Sequence, residues 1–152
     1  MSTYRIVVGV DGSDGGQRAL RWAVHEAAAR NGSVQVVTAW APAASDAPPA
    51  ATEDEQHRSA VAAQTRMLEA VAVPAGLSVA TEVVRGRAVD ALTAAARDAD
   101  LLVLGSHGHG RLHHAALGSV SDACVRKSAC PVVILPPPHQ LTVPARDPAV
   151  RP

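Results

Sequence analysis

The chain has 152 residues, 47% of them hydrophobic and 18% charged, enough for one compact domain with a buried core and short for two. Fourteen basic side chains balance 14 acidic ones, and the aromatic content is 2%, carried by Tyr4, Trp22 and Trp40 without a single Phe. No net positive field holds nucleic acid or an anionic membrane surface, and no stacking platform serves a single strand.

Tyr4 to Val10 is an apolar, β-branched run that suits a strand covered on both faces. From Gly15 to Arg30, Ala19, Leu20, Ala23, Val24, Ala27 and Ala28 recur at helical spacing, and Asn31-Gly32 predicts the stop. Ser33 to Trp40 reads as a second strand, and Ala41 to Thr52 as a mobile Pro- and Ala-rich loop. Glu53 to Val73 predicts a second helix with Val61, Leu68 and Val71 on its apolar stripe, closed by Pro74-Ala75-Gly76. A third strand (Leu77 to Val84), a third helix (Arg87 to Arg97, with Val89, Leu92 and Ala96 inward) and a fourth strand (Leu101 to Leu104) follow. After a long loop come a helix from about Ser119 to Ser128 and a last strand, Val132 to Leu135. The alternation predicts an α/β fold, a parallel sheet between two layers of helices. The domain is expected over residues 1–138, with 139–152 as a disordered, proline-punctuated tail.

Cys124 and Cys130 are too few for a disulfide scaffold or a thiolate zinc site and read as packing residues of a reducing compartment. No run approaches the ~18 apolar residues of a membrane span, and the N-terminus lacks a signal-peptide profile. A cytoplasmic protein that binds neither membrane nor nucleic acid is the expectation.

In an open parallel sheet, ligands sit beyond the carboxyl ends of the strands, where the strand order reverses. Here those ends carry Asp11, Ala39-Trp40, Arg85-Gly86-Arg87 and, most richly, Gly105-Ser106-His107-Gly108, with Gly118-Ser119-Val120-Ser121 opening the next helix. Glycines admit a phosphate close to the backbone, and helix-start N–H groups and hydroxyls attract an anion. The spacing Gly105-x2-Gly108-x9-Gly118-Ser119 is neither a P-loop, which needs Gly-Lys-Ser/Thr, nor a dinucleotide fingerprint after the first strand. A synthetase-type pyrophosphatase loop is matched only superficially by Val10-Asp11-Gly12-Ser13-Asp14-Gly15-Gly16.

The spacing resembles the ATP-binding signature of the universal stress protein family. The resemblance runs over about residues 3 to 135, through Ile6-Val7-Val8-Gly9-Val10-Asp11-Gly12-Ser13, Thr38-Ala39-Trp40, Gly86 and Cys130-Pro131-Val132-Val133-Ile134. It implies a Rossmann-like, three-layer α/β/α fold of the adenine-nucleotide alpha-hydrolase kind, with a five-stranded parallel sheet of order 3-2-1-4-5. It also implies a homodimer and bound ATP. Mg²⁺ is expected with the nucleotide, held by phosphate oxygens, hydroxyls and water, and the wholly apolar Val132 to Leu135, at a sheet edge in that order, is the expected dimer seam. Carried over by position, Asp11 meets the ribose, Ala39 offers its backbone to the adenine edge, and Gly105, Ser106 and Gly108 line ribose and phosphates. Gly118, Ser119, Val120 and Ser121 then donate N–H and hydroxyl groups to the phosphate chain.

Several residues keep two readings. Asp11 is a ligand contact or a helix cap. Arg85 and Arg87 approach the phosphates or form a solvated edge. His107, His109, His113 and His114 touch phosphate or lie on the surface; glycines separate them and no carboxylate joins them, so no metal site is assigned. The functional expectation is an ATP-binding regulatory protein of the stress response whose nucleotide state is read by a partner protein. The alternatives are a slow ATPase or autophosphorylating protein and a nucleotide-free interaction module. Between Gly105 and Ser121 there is neither lysine nor carboxylate, so any hydrolysis is expected to fall far below that of a dedicated ATPase.

Overall fold

Among the described residues strands and helices alternate: β1 (Arg5–Gly9), α1 (Asp14–Ala29), β2 (Ser33–Trp40), α2 (Glu53–Glu69), β3 (Ser78–Arg85), α3 (Ala88–Ala96), β4 (Leu101–Gly105), α4 (Ser119–Lys127) and β5 (Val132–Leu135). The computed structural model describes residues 2–42, 51–107 and 117–138. Most of the expected Pro- and Ala-rich loop, Gly108, His109, His113, His114 and the tail from His139 lie outside the described residues. All strand pairs are parallel, in the order β3-β2-β1-β4-β5 that the resemblance implies.

Alternate residues of the central strands feed two cores, as a period of two requires. Ile6 and Val8 of β1, with Val34, Val36 and Val103, pack under α1 and α2. Val7, Val37, Leu102 and Leu104 pack under α3 and α4. Buried on both faces, β1 and β4 are continuous apolar runs for that reason.

Local signals set the helix ends. Ser13 caps α1 by accepting from Gly16 N at 3.2 Å, and Asn31, at φ 51°, turns the chain out while Gly32 N returns to Ala27 O at 2.8 Å. A capping box starts α2: Glu55 N donates to the Thr52 hydroxyl, and Thr52 N donates to the Glu55 carboxylate.

The expected stripe of α2 is corrected. Val61 is 39% exposed, the buried positions are Gln64 and Met67, Leu68 is only half-buried, and the helix ends at Glu69 rather than Val73. Gln64 can be buried because its amide nitrogen lies within hydrogen-bond reach of Val36 O, Thr38 Oγ1 and Glu82 O. Apolarity alone selected Val61; the inward direction is set by Gln64, Met67 and, one turn on, Val71.

Candidate nucleotide cleft

The sheet order reverses between β1 and β4, and a cleft of about 310 Å³ opens there, at the lower end of the ~300–1,000 Å³ typical of small-ligand sites. After β1 the chain turns sharply, with Gly12 at φ 87°. The exposed Asp11 carboxylate accepts from Ser13 N at 3.0 Å and from the Ser13 hydroxyl. The capping role belongs to Ser13, and Asp11 braces it from the cleft side.

Ala39 contributes its backbone by parity. Val37 O accepts from Val10 N at 3.0 Å, toward β1, whereas Trp40 O accepts from Gly86 N at 2.8 Å, on the β3 side. Two residues beyond Val37, the N–H and C=O of Ala39 face the side that β1 has vacated. One donor and one acceptor stand side by side on the cleft wall.

On the opposite wall, the end of β4 is latched to the start of α4. Gly118 N donates to Ser106 O at 2.7 Å, and the Ser121 hydroxyl reaches Gly105 O at 2.8 Å and Ser106 O at 3.2 Å. The first helical bond of α4 runs from Asp122 N to Gly118 O, and Gly118 brings no capping side chain. The N–H groups of Ser119, Val120 and Ser121 therefore sit at the positive helix end without a helical partner. Close backbone packing holds α1 against β4: a Cβ on Gly105 would lie 2.8 Å from the Gly15 carbonyl, and one on Gly15 would lie 2.6 Å from His107 O.

Asp11, Ala39, Gly105, Gly118, Ser119, Val120 and Ser121 all line the cleft, as does His107. Ser106 does not line it; it is 5% exposed and sits behind the wall, its hydroxyl 3.1 Å from His107 Nδ1. The hydroxyl of Ser121 and the N–H of Gly118 are also unavailable to a ligand in this arrangement, because both already donate to carbonyls of the β4 end. Arg85 pairs with Glu53 at 2.7 Å and lies over the Trp40 ring, Arg87 pairs with Asp90 at 3.7 Å, and neither lines the cleft. Cys124 is buried in the α3–α4 core, and that burial pushes its thiol up against a smaller opposing pull from Lys127.

Val37, Leu104, Ala88 and Leu92 form an apolar floor that the site motifs did not point to. The signal was available: Val37 lies two residues before Ala39 on the same strand face, Leu104 directly precedes Gly105, and Ala88 and Leu92 share a helix face at i, i+4.

The model of the family described as "Universal stress protein family" matches residues 3–136. The chain belongs to the universal stress protein family. Universal stress protein Rv2005c of Mycobacterium tuberculosis is 34% identical over 140 residues, covering 87% of this chain and 48% of its own length. The chain thus spans about half the length of the curated relatives it matches. Among solved structures, UspA from Lactobacillus plantarum matches with a TM-score of 0.73 at 22% identity, covering 89% of this chain and 99% of that one. A universal stress protein in complex with cAMP matches at 31% identity and a TM-score of 0.57, covering 89% and 98%.

Proposed function

We propose that the cleft binds an adenine nucleotide, ATP with Mg²⁺, and that occupancy sets a surface read by a regulatory partner protein in the stress response. The observation that carries this reading is the facing of two unlike walls across an apolar floor. The Ala39 donor and acceptor suit the hydrogen-bonding edge of adenine, and the three N–H groups of α4 suit a phosphate chain. Asp11 then stands at the ribose, where a carboxylate accepts from hydroxyls. Gly105 lines the cleft beside these N–H groups and holds the wall in place by its close packing on Gly15, and Gly108, which lies outside the described residues, is included on the motif alone. Mg²⁺ would be held by phosphate oxygens, water and the Ser119 hydroxyl, since Mg²⁺ keeps several waters and the phosphate wall carries no carboxylate. The relative in complex with cAMP supports an adenine nucleotide as the ligand class.

Denaturing the purified protein and identifying what it releases by mass spectrometry tests the reading. An adenine nucleotide is the expected product; a protein that releases none and takes up none when supplied contradicts it. Asp11→Ala is expected to weaken binding by about 1–3 kcal/mol, the scale of a lost hydrogen bond involving a charged group. Calorimetry showing a change under about 0.3 kcal/mol would confine Asp11 to bracing Ser13.

The same reading includes a homodimer through β5. Leu102 N donates to Pro131 O and Ser106 N to Leu135 O, so alternate residues face β4 and the N–H and C=O groups of Val132 and Ile134 face outward. A two-fold axis pairs such an edge with its own copy and closes the assembly. Ile134→Pro removes an outward N–H without removing a bond to β4, so it is expected to give folded monomers by light scattering. A wild type already monomeric at high micromolar concentration would refute the pairing. We place the protein in the cytoplasm; among the described residues no helix is long and apolar enough to cross a membrane.

A further inference from the structure

We infer that the edge of β3 is a docking strand: an extended segment of a partner protein adds beside it, with a basic side chain set against Glu82. The inference does not depend on the nucleotide reading above.

Three observations lead to this edge. β3 closes one side of the sheet, runs for 8 residues and contains no proline, whereas β5, on the other side, has 4 residues and follows Pro131. A long edge without proline is a template for another strand. Trp40 O accepts from Gly86 N, so in this parallel register the backbone groups of Ala80, Glu82 and Val84 turn toward β2, and those of Val79, Thr81, Val83 and Arg85 turn outward. Both faces are open at the middle of the strand. Thr81, on the α2 side, is exposed; on the opposite face α3 and α4 pack chiefly on β1, β2, β4 and β5, and Ala80 and Glu82 are exposed.

Charge selects the occupant. The Glu82 carboxylate accepts from Gln35 Nε2 at 2.7 Å, and among the described residues no cation pairs with it. A second copy related by a two-fold axis uses all the outward residues only by pairing Val79 with Arg85 and Thr81 with Val83, a register that sets Glu82 directly opposite its own counterpart. Like charges facing across strands repel, so the edge is guarded against itself and open to a basic strand. In this mode main-chain bonds supply affinity and alternate side chains supply specificity. The basic residue of the occupant faces Glu82, and its two neighbours, on the α2 side, are β-branched residues that pack beside Thr81 and Val83.

Amide hydrogen exchange on the full chain tests this with a synthetic peptide, acetyl-Thr-Val-Arg-Val-Thr-amide, whose palindromic order places Arg at Glu82 in either strand direction. In the free protein the N–H groups of Val79, Thr81 and Val83 are expected to exchange fast, and millimolar peptide is expected to slow them several-fold. The same peptide with Glu in place of Arg is expected to bind about two- to tenfold more weakly, the scale of one cross-strand charge pair and its like-charge counterpart, and Glu82→Lys to reverse that order. Thr81→Pro removes an outward N–H without removing a bond to β2, so it is expected to abolish the slowing with a melting curve close to wild type. The reversal in Glu82→Lys decides the matter if the proline variant does not fold. Slow exchange at these amides without peptide, constant or rising with protein concentration, would give the edge to the chain itself or to a second copy and overturn the inference. So would the absence of slowing by the Arg peptide, or equal binding of the two peptides to wild type.

Discussion

Gly118→Val is expected to abolish nucleotide binding while leaving the protein folded. Gly118 lines the cleft directly before the three N–H groups of α4, and an isopropyl group there fills the approach to them. Its backbone, at φ −62° and ψ 162°, is ordinary extended geometry that a β-branched residue adopts without strain. Valine is a poorer N-cap than glycine, which costs about 1 kcal/mol and lowers the melting midpoint by roughly 2–4 °C at this size. The expected result is a cooperative melt close to wild type with no calorimetric titration by ATP. Unchanged affinity in the folded variant would remove α4 from the phosphate site.

Gly105→Ala has the opposite signature, a loss of stability. The added Cβ would lie 2.8 Å from both the carbonyl carbon and the oxygen of Gly15, and 3.0 Å from its Cα. Backbone at the start of a capped helix cannot swing aside as a flexible side-chain tip can, so α1 must shift relative to β4. Overpacking of this kind costs about 1–3 kcal/mol, a fall in melting midpoint of several degrees. Thermal denaturation matching wild type would show that α1 and β4 are not in close backbone contact at Gly105 and Gly15. The two glycines of one motif thus serve different ends, Gly105 the packing of the scaffold and Gly118 the access of the ligand.

Much of this was legible in the sequence because the relevant signals are local. Continuous apolar runs at Ile6 to Val8 and Leu101 to Leu104 mark strands buried on both faces, and Asn31-Gly32 stops α1 by a left-handed turn. What the sequence left out depends on which way a group points once the chain is folded. The inward face of α2 centres on Gln64, and only three acceptors on β2 and β3 make that tolerable. Ser121 looked like a ligand hydroxyl, yet it closes the latch between β4 and α4. Ser106 sits behind the wall, its hydroxyl 3.1 Å from His107 Nδ1. Position alone points to Ala39, but the reason its backbone is available is the parity of hydrogen bonding along β2 and the early end of β1. The choice between ligand contact and solvated edge for Arg85 turned on Trp40 and Glu53, which draw the guanidinium to the α2 side of the sheet.

A crystal structure of the protein grown with ATP and Mg²⁺ tests the central claim most directly. The expected result has the adenine edge against the N–H and C=O of Ala39, the ribose at Asp11, and the phosphates at the N–H groups of Ser119, Val120 and Ser121. Nucleotide bound elsewhere on the molecule, or this cleft empty at saturating ATP, would contradict it.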